Sequence, residues 1–231
     1  MLYIFLHIPK AAGCSVRELF PEGVLLTHEP NETNEDAGKR LRSAHPNLTA
    51  IYGHAPYYGI HELWDKKPYY LTMLRYPTTH VLSIYNYLHQ ELPANRNKTD
   101  RWREIDESIK DLSFRQFSQQ FVNPQTYYLT SKLKKEYPSQ SGIVNAPLQP
   151  NLNDAKRLLD LCNYVGIVEQ NGIQNLAKLL NKTPPPPLNK TRDRRHELQP
   201  GDEEWILEHN ELDLKLYNYA LVIKGENREL D

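Results

Sequence analysis

Residues 10–15 hold the densest group of chemically useful side chains in the chain: Lys10, then Ala11, Ala12, Gly13, Cys14 and Ser15. A lysine charge, a hydroxyl and a glycine that allows close backbone approach would cradle a phosphate or sulfate where such a turn opens a helix. The first N–H groups and the dipole of the helix favour an anion there. The pattern is not G-x-x-x-x-G-K-[ST], because the lysine precedes the glycine. Arg75 and Ser83 stand eight residues apart. Two helical turns bring a guanidinium fork and a hydroxyl to one side, a good pair for a second phosphate. Taken singly, each group has a plain alternative: a tight turn with an exposed lysine, or an arginine paired with a surface carboxylate above a solvent-facing serine. Cys14 lacks the C-x5-R loop of a cysteine phosphatase, since Arg17 follows only three residues later.

These groups need elements to bring them together. Tyr3 to Ile8 is an apolar run broken only by His7, as expected of a parallel strand buried on both faces. The turn at residues 9–15 follows, then a helix over Val16 to Phe20. Further strands are expected over Leu48–Tyr52, Tyr69–Leu74 and Tyr164–Val168, with a strand-like segment at Val24–Thr27. Helices are expected over Asn34–Ser43, Thr78–His89, Asn151–Leu161, Ile173–Leu180 and Asp202–Ala220, the last with a break near Asn210; Phe114, Phe117 and Phe121 mark a shorter one. Strand, turn and helix in repetition predict an α/β fold with a mainly parallel sheet, in one domain spanning 1–231. Lys10, Arg75 and His54 each lie just past a predicted strand, at the edge where such sheets bind ligands.

Composition narrows the classes. Lys plus Arg is 28 against 29 for Asp plus Glu, a net charge of -1, which argues against a generally basic nucleic-acid binder. Apolar residues at 39% argue against a disordered chain. No stretch approaches the roughly 18 apolar residues of a membrane span, and the start lacks a basic signal-peptide region. Two cysteines, Cys14 and Cys162, make no disulfide framework; without a secretory signal the five Asn-x-Ser/Thr sequons are read as idle, and the expected location is cytoplasmic. No His, Cys or Asp cluster has metal-ligand spacing, and no metal is expected.

The order of the segments resembles a known family. His7-Ile8-Pro9-Lys10-Ala11-Ala12-Gly13-Cys14-Ser15 is similar to the 5′-phosphosulfate loop of sulfotransferases that use 3′-phosphoadenosine 5′-phosphosulfate (PAPS), in the carbohydrate branch that includes heparan sulfate 2-O-sulfotransferase. The segment from Leu74-Arg75-Tyr76-Pro77 to Ser83-Ile84-Tyr85 resembles that group's 3′-phosphate segment, and Tyr52-Gly53-His54-Ala55-Pro56-Tyr57 the segment with its catalytic histidine. Weaker echoes fall at Asn123–Leu129, Tyr164–Glu169 and Asn210–Tyr217. Ala11 and Cys14 depart from the family, where threonine is common, so two hydroxyl contacts are missing or replaced.

The resemblance implies a P-loop-like three-layer fold and sulfuryl transfer from PAPS, leaving PAP, to a small-molecule or carbohydrate hydroxyl. Lys10 would stabilise the leaving oxygen and His54 would be the base, with His28 as runner-up. The backbone of Ala11, Ala12, Gly13, Cys14 and Ser15 would hold the phosphosulfate, and Arg75 with Ser83 the 3′-phosphate. A late basic loop offers Lys190, Arg192 and Arg194 to cofactor or acceptor. Tyr57 and Tyr58, directly after His54, are candidates to stack on a sugar, and Arg96 and Lys98 to meet an anionic acceptor. For these basic residues a solvated charged surface is the alternative. His7, inside the predicted strand, reads as a core residue. Two rival functions stay open: a PAP- or glycan-binding module without turnover, and a nucleotide kinase of related topology.

Overall fold

The computed structural model describes residues 1–29, 32–95, 100–133, 149–186 and 196–223, with backbone alone over 92–95 and 100–102. The elements are β1 (Leu2–Phe5), α1 (Gly13–Glu18), β2 (Val24–Leu26), α2 (Asn34–Ala44), β3 (Ala50–Gly53), β4 (Pro68–Leu74), α3 (Pro77–Asn95), α4 (Asp100–Ile109), α5 (Phe114–Gln120), α6 (Pro124–Lys132), α7 (Leu152–Leu161), β5 (Tyr164–Ile167), α8 (Gly172–Leu179), α9 (Asp202–His209) and α10 (Glu211–Ile223). The five strands form one sheet in the order β2-β3-β1-β4-β5, and every pairing is parallel. Helices flank the sheet, so the continuous apolar runs of β1 and β4 are buried on both faces, as the sequence predicts. The strand-like segment at 24–27 is the edge strand β2, with its Leu25 side chain exposed. The expected break near Asn210 separates α9 from α10.

β1 stops at Phe5, three residues short of the predicted Ile8. The Leu6 N–H still reaches the Leu71 carbonyl at 2.9 Å, but the Thr72 hydroxyl takes the Leu6 carbonyl at 2.8 Å, and Pro9 has no N–H to continue a ladder. The chain therefore leaves the sheet at His7, close to the strand's C-terminal end.

The connection after β1 leads to β2 on one side, while the one after β4 leads to β5 on the other. β1 and β4 are neighbours, so their C-terminal ends bound the crevice where strand order reverses, the place an open α/β sheet offers a ligand. A second apolar cluster, separate from the sheet, joins Val81, Ile84, Tyr85 and Leu88 of α3 to Phe114 and Phe117 of α5 and Ile206 of α9. It fixes the outer face of α3 and leaves the inner face for the crevice. Among the described residues, no helix is long and apolar enough to cross a membrane.

Candidate active site

The loop after β1 is tightly wound. Lys10 and Ala12 both have left-handed backbone, with φ of 63° and 61°, and the Ala11 N–H returns to the Ile8 carbonyl at 3.1 Å. α1 then begins at Gly13 without a side-chain cap. Ala11 is fully buried. Gly13 is glycine for a reason the sequence did not reveal. A Cβ at this position would overlap the His7 imidazole, so the glycine makes room for that histidine. Gly13→Ala is expected to cost about 1–3 kcal/mol by overpacking. A melting curve checks this, and adding His7→Ala to the same chain should return most of the loss.

Arg75, at the end of β4, reaches across to this loop. Its Nη1 donates to the Lys10 carbonyl at 3.3 Å and its Nε to Thr79 Oγ1 at 3.2 Å, and Glu169 Oε1 lies 3.8 Å from Nε. The Arg75 backbone is gripped by one side chain: its N–H donates to Gln125 Oε1 at 2.9 Å, while Gln125 Nε2 donates to its carbonyl at 2.8 Å. Asp213 orients that amide's helix, accepting from the backbone N–H groups of Gln125 and Thr126 at 3.0 and 2.7 Å and from Thr126 Oγ1 at 2.7 Å. Glu169 accepts from the Tyr76 N–H at 3.1 Å and from the Thr79 hydroxyl at 2.7 Å, so a carboxylate sits at the start of α3, where the helix dipole favours it. The three weaker sequence echoes thus meet around Arg75.

On α3, Thr79, Ser83 and Tyr87 follow at four-residue steps and share one face. Thr79 touches Arg75, and the Lys10 ammonium sits 3.9 Å from the Tyr87 ring centroid. Half-buried Ser83 stands between them, on the crevice side. One step round, buried His80 bonds the Pro9 carbonyl through Nε2 at 2.7 Å and pins the loop to the helix. Burial lowers the Lys10 pKa, with Arg75 pushing the same way and Cys14 and Glu91 opposing.

His54 follows Gly53, whose φ of 123° turns the chain out of β3; a side chain there would strike the Leu26 carbonyl. The His54 ring is open to solvent at the mouth of the site and stacks on His7, with centroids 4.6 Å apart and planes at 26°. His7 is therefore half-buried beside the site, not a core residue as the strand pattern suggested. Surrounding protein and the neighbouring Lys132 and His28 favour the uncharged ring and lower the His54 pKa to about 4. His28 bonds Asn34 Oδ1 at 2.8 Å and borders the same group.

Lys132, which nothing in the sequence singled out, ends α6 with 3% exposure and donates to the His54 carbonyl. Its own carbonyl accepts from the Tyr58 N–H at 2.8 Å. Tyr57 corrects an expectation: it is 4% exposed and packs in the main core, so its ring is not offered to a sugar. Tyr58 is half-buried, its ring 4.9 Å from that of Tyr70. Arg96, Lys98, Lys190, Arg192 and Arg194 lie outside the described residues. His196, just after the last of these, exchanges two backbone bonds with the Asn86 amide at 2.9 and 3.0 Å and pairs with Asp202 at 2.9 Å. That anchor lies on α3 one residue before Tyr87.

A shallow 480 Å³ depression lined by His61, Glu62, Asp65, Lys66, Lys67 and Pro68 lies where β4 begins, at the other end of the strand from Arg75. It does not coincide with the crevice.

No known protein family matches this chain, and no curated protein is significantly similar to it.

Proposed function

We propose that the protein is a sulfotransferase that moves the sulfuryl group of PAPS to an acceptor hydroxyl, with a carbohydrate as the favoured acceptor. The observation that supports this most is the bond from Arg75 to the Lys10 carbonyl. It brings cations from two loops to one mouth of the sheet, beside an uncapped helix start and the Ser83 face of α3. A nucleotide charged at both ends of its ribose suits two such cations. PAPS would lie with its phosphosulfate toward Lys10 and α1 and its 3′-phosphate toward Arg75 and Ser83. In the reaction the acceptor oxygen bonds to sulfur, the sulfur–oxygen bond to the phosphate breaks, the acceptor proton passes to His54 and PAP leaves. Lys10 would stabilise the charge growing on the leaving oxygen. His54 is uncharged at neutral pH and so can accept a proton, and an anionic donor beside it would raise its basicity.

Thermal shift with PAP, ATP and ADP tests the reading. At 100 times its Kd, PAP is expected to stabilise by about 2.7 kcal/mol, or roughly 5–10 °C for a chain of this size, and far more than ATP or ADP. Arg75→Ala should abolish the difference. Equal shifts from all three nucleotides would defeat the 3′-phosphate assignment. Buried Ala11, which brings no hydroxyl to the loop, favours a second reading in which the protein binds PAP without turnover; product formation from PAPS separates the two.

A further inference from the structure

We propose that Lys132 is the positioning residue of the base: its ammonium group, held against the His54 carbonyl, and the His7 ring stacked on the imidazole together fix the orientation and the electrostatic field of His54. The role assigned to His54 rests on the function proposed above; the contacts do not. Four observations converge. Lys132 is almost wholly buried, and among the described residues no carboxylate pairs with it. A buried lysine without an acidic partner is costly and is retained where its charge or its donors are used. Its Nζ and its carbonyl hold both ends of the segment from His54 to Tyr58, so the last turn of α6 clamps the peptide that carries the base. The imidazole itself stacks on His7, for which Gly13 makes the space.

The groups around His54 all carry, or can carry, positive charge: His7 from the loop after β1, His28 from the loop after β2, and Lys132 from α6, with Lys10 bordering His7. Glu32 and Arg40 border His28 and oppose each other there. Like charges at short range resist protonation of the ring. Burial lowers the Lys132 pKa to about 7, so its own charge changes near neutrality. As pH falls, Lys132 takes a proton first, and the His54 ring is then harder to protonate.

Proton NMR of the His54 ring in the full chain, without ligand, tests this directly. In the wild type, the His54 resonance should show its main titration well below 6.5 and a smaller inflection near 7 as Lys132 titrates. Lys132→Gln keeps an N–H donor and removes the charge; its His54 midpoint should move up by roughly half a unit or more and the inflection should vanish. Lys132→Met also removes the donor. Its kcat with PAPS should fall 10-fold or more while its PAP affinity stays within about twofold, and Lys132→Gln should recover most of that kcat. A folded Lys132→Met protein with wild-type kcat and wild-type His54 titration would overturn the proposal. If neither variant folds, the wild-type titration decides, and a single transition at the ordinary histidine value overturns it. A chain that turns over no PAPS would defeat the proposed function, yet the His54 titration would still report on Lys132.

Discussion

Lys10→Ala and His54→Ala are each expected to slow sulfuryl transfer by 100-fold or more, a loss of about 2.7 kcal/mol in transition-state stabilisation. The two should differ in what else they change. The Lys10 ammonium rests on Tyr87 and borders the crevice, so its loss removes a cation from both the ground state and the transition state. PAP binding should weaken along with kcat. Alanine inherits the same left-handed backbone, and the loop keeps the bond from the Ala11 N–H to Ile8 and the bond from the Pro9 carbonyl to His80, so the fold should survive. The His54 ring is reached by solvent and contributes one stacking contact, so His54→Ala should melt close to wild type and bind PAP unchanged while its kcat falls. Steady-state kinetics with PAP affinity measured in parallel resolves the split. A near-normal rate in His54→Ala would remove the base assignment, and His28, which borders the same group, would then be the residue to replace.

The largest expected loss of stability comes from Asp213→Ala. The Asp213 carboxylate is fully buried and accepts three hydrogen bonds from Gln125 and Thr126 at the start of α6, while its own N–H donates to Asn123 Oδ1 at 3.0 Å. Burial pushes its pKa up to about 6, and the donors pull against that shift. Alanine would leave two backbone N–H groups and a hydroxyl buried without an acceptor. The cost should be about 3–5 kcal/mol, a fall in Tm on the order of 10 °C. Asp213→Asn keeps one acceptor oxygen and should lose less. Because Gln125 grips the Arg75 backbone, PAP affinity should fall as well, although Asp213 lies behind the crevice rather than in it. An Asp213→Ala protein with wild-type Tm would show that the network does not hold α6.

Local patterns made most of the fold legible. The runs around Ile4 and Leu71 are apolar without alternation, as a parallel strand covered on both faces requires. The break at Asn210 and the α3 stripe followed from spacing. Residues whose role depends on distant partners were harder to read. Gln125 and Asp213 meet across 88 positions, and no periodicity relates them; the motif resemblance marked their neighbourhood but not their bonds. Lys132 follows Thr130 and Ser131 and looks like a polar helix end, because burial of a lysine leaves no trace in its own sequence. His7 misled in the opposite direction: the apolar run continues through it, while the ladder has already ended at Phe5.

The sheet order has a consequence for biosynthesis. β1 lies between β3 and β4, and both follow it in the chain, with Leu2 opposite Pro68. At roughly 5–20 residues per second, this apolar segment leaves the ribosome several seconds before its second neighbour has been made. Until then it has no complete place to pair, so the nascent chain carries an apolar strand with one edge open to chaperones.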